Sequence, residues 1–462
     1  LFLEEVERVA KIFKSLIREK HVKIISHFDS DGICTASIIT KAMVRENVNF
    51  ELKIIKQLTT EEVPKLNVNK NDILVLTDFG SGQLDLLEDI LNKTQILILD
   101  HHEPKELSHL NLLHLNPLIF HEEEIPSSMI AYLFVKNIDT RNTDLVDLAI
   151  VGAVADEKEE KWKFKGLAKK ILEEAEIIGK ITVLKGLRLY GRSTRPIHKS
   201  LEFSFDPIIP GISGSESAAV QFLSELGISI KEDGEWKKLK DLTIEEQQKL
   251  ASAIILERLR SKHSDAEDIF GDIYVISGRP EEMQDVREFA TLLNACGRLG
   301  RWDVGIRLCL DDLKSLEESF DIIAQYRKMI SELIEWVRQN KNSILTTDSA
   351  IYLFGGNKIP EALIGTVASI LLNSNLIDTN KPIFGFAEAA GNKLKISARV
   401  SKDLKIVNLR DIISDAAKQV EGEGGGHQFA SGGLIPKDRQ EEFVKLVDNK
   451  LGELFGNKED KS

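Results

Sequence analysis

The apolar pattern opens with an amphipathic stretch over residues 1–20, where large apolar residues recur at helical spacing among Glu, Arg and Lys. The rhythm then changes. Aliphatic runs at 22–25, 73–76 and 96–99 are short and, but for Lys23, uninterrupted, as strands buried on both faces are. Between them, residues 33–45 and 83–91 carry the helical period. With a strand at 50–55 and a helix near Glu61, the first ~155 residues alternate strand and helix, which predicts right-handed βαβ units and a parallel sheet. A strand at 112–115 and helices at 127–135 and 144–155 complete this region.

The pattern beyond is less regular. Residues 157–180 read as a charged helical linker, and 187–210, rich in Arg, Pro and Gly, as irregular. Helices at 215–226 and 243–260 suggest a small inserted unit, the second opened by a Thr243–Glu246 capping box. A second α/β region starts near Asp272. Strand-like runs fall at 273–276, 304–310, 350–354, 382–387 and 393–400, and helices at 285–295, 313–340, 360–373 and 437–454. The helix at 313–340 is long enough to bridge two lobes. The expected organisation is 1–178, a connector and helical insertion at 179–270, and a smaller mixed α/β domain at 271–457.

Composition narrows the class. Apolar residues make up 42% and charged residues 29% of the 462, as in a soluble globular protein, and no apolar run reaches the ~18 residues of a membrane span. The three cysteines lack metal-site spacing and fit reduced thiols in a cytoplasm. A net charge of -13 argues against a generic nucleic-acid coat. It leaves room for a local track: residues 179–200 hold six cations (Lys180, Lys185, Arg188, Arg192, Arg195, Lys199) and no Asp or Glu.

The chemistry sits where the buried strands end. His27-Phe-Asp29-Ser-Asp31-Gly32, Thr77-Asp78 and Asp100-His101-His102 each follow one of the three aliphatic runs. Residues just beyond the carboxyl ends of parallel strands handle ligands, so the three strings describe one site. Carboxylates crowded together repel unless a cation lies among them, and oxygen ligands mixed with imidazole suit a small divalent ion. Asp156, at the end of the apolar run 148–155, is a further candidate ligand. At the other end of the chain, the glycine-rich segment 422–433 can bring backbone N–H groups against an anion, with His427 and Arg399 as added donors.

These strings resemble the motifs of the DHH phosphoesterase superfamily, and Gly152-Ala-Val-Ala-Asp156 resembles its fourth motif. Gly424-Gly425-Gly426-His427, continuing to Gly432-Gly433, and the strand Ile396-Ser397-Ala-Arg399 resemble the associated DHHA1 domain, as does the stretch from Phe289 to Arg298. Arg195-Pro-Ile-His198 and the chain length are most similar to the archaeal branch of RecJ-like single-strand exonucleases, the GINS-associated nucleases. The resemblance implies two divalent ions, Mn²⁺ foremost and Mg²⁺ second. One would be held by His27, Asp29 and Asp78, the other by Asp31, Asp78, His101 and Asp156. It further implies that His102 contacts the scissile phosphate or attacking water, that Asp100 orients a ligating histidine, and that the DHHA1 domain closes over the metals.

The expected activity is hydrolysis of single-stranded DNA or RNA to nucleoside 5′-monophosphates, in replication or repair. Arg298, Ser397, Gly424, Gly425, Gly426, Arg192, Arg195 and His198 are expected substrate contacts, with Tyr190, Phe203 and Phe205 available to stack bases. Two alternatives stand beside it: a phosphodiesterase for short oligonucleotides or cyclic dinucleotides, and a replisome scaffold that binds GINS.

Overall fold

A computed structural model of the chain describes residues 1–156, 159–204, 207–261, 265–372, 377, 380–401 and 404–459. It divides into two compact units, Leu1–Ile323 and Ala324–Ser462.

The first unit is built on strands β1 (His21–His27), β2 (Phe50–Ile55), β3 (Asp72–Thr77), β4 (Ile96–Leu99) and β5 (Leu112–Leu115). All pair in parallel in the order β2-β1-β3-β4-β5. β3 and β4 are buried along their whole length, which is why Ile73–Leu76 and Ile96–Leu99 are all aliphatic. Helix Ser30–Arg45 packs with helices Ser127–Ile138 and Val146–Ala155, and Phe2–Leu16 packs on Ser127–Ile138. The other sheet face is covered by short turns rather than long helices. The helices expected near Glu61 and at 83–91 are 3-10 turns at Val63–Leu66 and Ser81–Leu87 and a single α-turn, Glu88–Leu91.

The insertion is closed at its base by strand Ile181–Leu187 paired antiparallel with Phe270–Ile276. Between them, helices Ile197–Glu202, Glu216–Glu225 and Ile244–Arg260 enclose their own core, including Leu201, Leu223, Leu250 and Ile254. The capping box at its last helix is present: Glu246 N donates to Thr243 Oγ1, and Thr243 N donates to Glu246 Oε2.

In the second unit a six-stranded mixed sheet runs in the order Ile344–Thr346, Ile351–Gly356, Ile383–Ala389, Lys393–Arg399, Ala430–Pro436, Glu423–Gly426. Helix Ile364–Leu372 packs on one apolar layer, with Ile351, Leu353 and Ile383. Leu409–Gln419 and Gln440–Glu459 pack on another, around Tyr352, Phe384 and Phe443. The fold class is therefore the expected one, a parallel α/β sheet plus a smaller mixed α/β domain.

Three local expectations differ from the structure. The run 304–310 is the helix Trp302–Cys309, not a strand. Its alternating Val304, Ile306 and Leu308 imitate a strand, but Val304, Gly305, Leu308 and Cys309 form a buried helical face. Of the charged linker, the described residues 159–180 are α-helical only over Gly166–Ile177, and Lys161 and Trp162 before it take positive φ. Residues 187–210, read as irregular, contain the helix Ile197–Glu202. The glycine-rich segment forms a β-hairpin.

The division between the two compact units lies inside helix Lys314–Gln339. Helix Val286–Arg298 packs on Val146–Ala155 and Ser30–Arg45, so it belongs with the parallel sheet. No helix among the described residues is long and apolar enough to cross a membrane.

Candidate metal centre

With this strand order, the switch in chain direction falls between β1 and β3, where open α/β sheets bind ligands. β1 ends at His27. The chain turns at once, so His27, Asp29 and Asp31 do not continue a strand. Asp29 is the N-cap of helix Ser30–Arg45, its Oδ1 accepting from Gly32 N at 2.9 Å, and Asp31 lies in the first helical turn. The cap leaves Asp29 Oδ2 2.8 Å from His27 Nδ1.

Asp78 follows β3 with φ at +65°, a conformation that Asp tolerates and most side chains do not. Its side chain is buried between two histidines. Oδ2 lies 3.3 Å from His27 Nδ1, and Oδ1 lies 3.4 Å from His101 Nε2. Ser127 Oγ donates to the same Oδ1 at 3.2 Å. His101 Nδ1 lies 2.7 Å from Glu124 Oε1 and 3.7 Å from Asp156 Oδ2.

Asp31 is held by the start of helix Ser127–Ile138: Ser127 N donates to Oδ2 at 2.9 Å and Ser128 N to Oδ1 at 3.2 Å. The Gly152-to-Asp156 motif gains a physical meaning here. A Cβ at residue 152 would collide with Asp31 Oδ1 and with Ser128, so glycine lets helix Val146–Ala155 pass close beside Asp31. Asp156 caps that helix one turn later, on the same side.

His27, Asp29 and Asp78 have ligand atoms close enough to share one ion. A second group joins Asp78 to Asp100, His101 and His102, with Asp156 beside His101. Within it, Asp100 is committed elsewhere. Its Oδ1 accepts from His101 N at 2.8 Å, from His102 N at 3.2 Å and faces His102 Nδ1 at 2.8 Å; its Oδ2 accepts from Ser81 N at 2.9 Å. Asp100 thus orients the ring of His102, whereas the carboxylate against the ring of His101 is Glu124. That glutamate stands among three in a row, Glu122 to Glu124, and no spacing in the sequence singled it out.

The charge state of the site reveals its cation deficit. Burial works against an imidazolium at His27, yet Asp29 and Asp78 outweigh it and raise its pKa to about 10. Burial, then the Asp78 and Asp156 carboxylates, push Asp31 well above the ordinary carboxylate range. Asp100 lies well below that range: burial opposes ionisation, but His102, His101 and the Ser81 amide favour it. His102 is raised, because Asp100 more than offsets burial. A site that retains protons on Asp31 and His27 to balance its carboxylates is one a divalent cation would fit.

The neighbourhood explains another motif. Gly297 lies where a Cβ would strike the carbonyl of Phe28, between His27 and Asp29, and Ser30 Oγ donates to Ala290 O at 3.0 Å. Arg298 lies over the Phe28 ring at 5.3 Å and its Nε donates to Asn294 Oδ1. The stretch from Phe289 to Arg298 buttresses the metal loop from within the first unit.

The basic track is partly neutralised. Arg188 is buried with Nη1 donating to Asp268 O, Lys185 pairs with Asp272, and Lys199 lies 2.8 Å from both Glu202 and Glu216. His198 is buried, its ring tilted against Trp236, with Nε2 3.5 Å from Glu216. Arg195 and Lys199 lie over the half-exposed ring of Phe203, and Arg192 O accepts from Lys240 N. Tyr190 is half-exposed; Phe205 lies outside the described residues.

In the second unit, Ser397 and Arg399 lie on one strand, Ser397 directly opposite Gly385 and Gly432. Arg399 Nε donates to Ser369 Oγ at 3.0 Å. Gly424 and Gly425 oppose Gly433 and Gly432 in the hairpin, Gly426 opposes Ser431, and His427 stands in its turn, its N–H donating to Ala430 O. No atom approaches within 4 Å of where a Cβ of Gly425 would stand.

The parallel sheet with Asp and His at its switch point is that of a DHH phosphoesterase, and the chain belongs to the DHH family. Three family models match: the DHH family N-terminal domain at residues 21–153, the DHH-CID domain at 189–269 and the DHHA1 domain at 348–453. An uncharacterized protein of Methanocaldococcus jannaschii is 33% identical over 465 residues, covering 98% of each chain. Among solved structures, RecJ of Thermus thermophilus in complex with Mn²⁺ is similar over 98% of this chain, with a TM-score of 0.61 and 17% identity. This chain spans 55% of that RecJ's length. CDC45 of Entamoeba histolytica is similar over 97% of this chain and 98% of its own, with a TM-score of 0.66 and 12% identity.

Proposed function

We propose that this chain is a cytoplasmic exonuclease that uses two divalent ions, Mn²⁺ foremost, to hydrolyse single-stranded DNA or RNA to nucleoside 5′-monophosphates. The observation that carries the reading is Asp78, whose two oxygens face His27 and His101 from opposite sides. In this reading Asp78 would serve both ions, with His27 and Asp29 holding one and Asp31, His101 and Asp156 the other. Bound there, the ions would polarise the phosphate and acidify an attacking water. The Mn²⁺ bound by Thermus thermophilus RecJ, a protein of the same fold, supports the choice of metal.

The chain's own groups would do the rest. Asp100 keeps His102 oriented and favours its cationic form, so His102 is suited to donate a hydrogen bond to a phosphate oxygen as charge grows there. Arg399, Ser397, His427 and the Gly424–Gly426 backbone would hold the phosphate of the substrate's end. Arg192, Arg195 and the Phe203 ring would contact phosphates and one base of the strand without reading sequence. Arg298, engaged with Phe28, acts in this reading by supporting the metal loop.

A length series of single strands with Mn²⁺ tests the reading. Long strands shortened one nucleotide at a time fit it; cleavage of dinucleotides with long strands ignored would favour the short-oligonucleotide phosphodiesterase instead. Binding to GINS would be compatible with catalysis, and capture of GINS by Asp78→Asn would separate that partner role from hydrolysis.

A further inference from the structure

The loop between β5 and helix Ser127–Ile138 carries Glu122, Glu123 and Glu124 in succession, and each goes to a different place. Glu122 Oε1 accepts from Phe2 N at 3.0 Å, capping the first helix of the chain. Glu123 lies against Gly166, the first residue of helix Gly166–Ile177, where φ is +52° and a Cβ would collide with the Glu123 carboxylate. Next in sequence, Ile125 is buried in the core, and Ser127 and Ser128 give their N–H groups to Asp31. The loop is thereby fixed on both sides of Glu124. Its carboxylate meets the buried ring of His101, with Oε1 2.7 Å from Nδ1.

We propose that Glu124 is a positioning residue of the metal centre: it accepts the Nδ1–H of His101 and so presents Nε2, the nitrogen facing Asp78, to a metal ion. The inference rests on the metal-centre reading above. The chemistry is general: a ligating histidine needs its other nitrogen bonded, which fixes both tautomer and ring orientation and makes the ligating nitrogen more basic. Asp156 does not serve this purpose, because its nearest oxygen is 3.7 Å from the same Nδ1, beyond hydrogen-bond distance. Asp100 does not either, since it reaches the backbone of His101 and the ring of His102. Three consecutive glutamates look interchangeable in sequence; the structure gives them three separate tasks.

The test is Mn²⁺ titration of the metal-free full-length chain, followed by the electron paramagnetic resonance of the free ion, with thermal unfolding of the metal-free protein alongside. Glu124→Ala should bind Mn²⁺ about 10- to 100-fold more weakly at the site of His101, with unchanged metal-free unfolding. Glu124→Gln, whose amide oxygen accepts the same Nδ1–H, should recover most of that loss. Unaltered Mn²⁺ affinity in Glu124→Ala would overturn the proposal while leaving the metal centre in place. Equal loss in both variants would also overturn it, because the residue would then act through its charge, as a ligand. A wild-type chain that takes up no Mn²⁺ would remove the metal-centre reading itself, and the role of Glu124 with it.

Discussion

Asp78 turns Oδ1 toward Nε2 of His101 at 3.4 Å while Oδ2 stays 3.3 Å from His27. In the proposed mechanism this carboxylate would serve both ions. Asn accepts the left-handed backbone that this position requires and can keep the hydrogen bond from Ser127. Asp78→Asn is therefore expected to lower Mn²⁺-dependent hydrolysis by at least roughly a thousandfold, on the scale of a lost electrostatic stabiliser. Its metal-free stability should stay within about 1 kcal/mol of the wild type. Turnover and urea unfolding read the two effects separately.

Metal uptake should release protons. His27 is raised to about 10 and Asp31 is pushed well above the ordinary carboxylate range, so near neutral pH the metal-free site holds protons that ligands must lose. Mn²⁺ affinity should rise with pH on approach to 10. Calorimetry in buffers of different ionisation enthalpy should show at least one proton released per site. Binding heats that do not depend on the buffer would contradict the assigned ligands.

His114 makes folding itself sensitive to acid. It lies on β5 opposite Ile98 of β4, with Nε2 2.7 Å from Ser81 Oγ, and burial lowers its pKa to about 4. The folded state thus binds its proton less readily than the unfolded chain, whose histidine titrates near 6.5. Its contribution is fully present above about 6.5 and is lost as pH falls toward 4, amounting to roughly 3 kcal/mol. Metal-free His114→Gln should show a flatter stability profile than the wild type across that window in urea titrations.

Two glycines should behave in opposite ways. Gly152→Ala drives a methyl group into Asp31 and Ser128, so it should destabilise the fold by about 1–3 kcal/mol and weaken Mn²⁺ binding. Gly425→Ala meets no atom within 4 Å and should leave stability unchanged. If the hairpin holds phosphate through its backbone, Gly425→Ala should still raise KM for a short single strand. Urea midpoints and a substrate titration compare the pair.

The strand ends are legible because burial of both sheet faces makes the runs aliphatic, and an Asp or His follows each within two residues. The same directness made the capping box at Thr243 readable, since its two partners are three residues apart. What sequence did not show depends on contacts between distant segments. Gly297 and Arg298 meet Phe28 only after folding, so a motif expected with the DHHA1 domain lies beside the metal loop. Glu124 differs from its neighbours only by where the loop is anchored. The run 304–310 misled because three alternating aliphatics satisfy a strand and a helix face alike. Arg188, Lys185 and Lys199 counted as a basic track until Asp268, Asp272, Glu202 and Glu216 were brought beside them.

The most direct test of the account is digestion of single-stranded RNA and DNA, labelled at either end, by the full-length chain with Mn²⁺, beside Asp78→Asn. The account predicts mononucleotides from one end at the earliest times, with no internal fragments, and no product from the variant. Internal fragments, or equal digestion by Asp78→Asn, would contradict it.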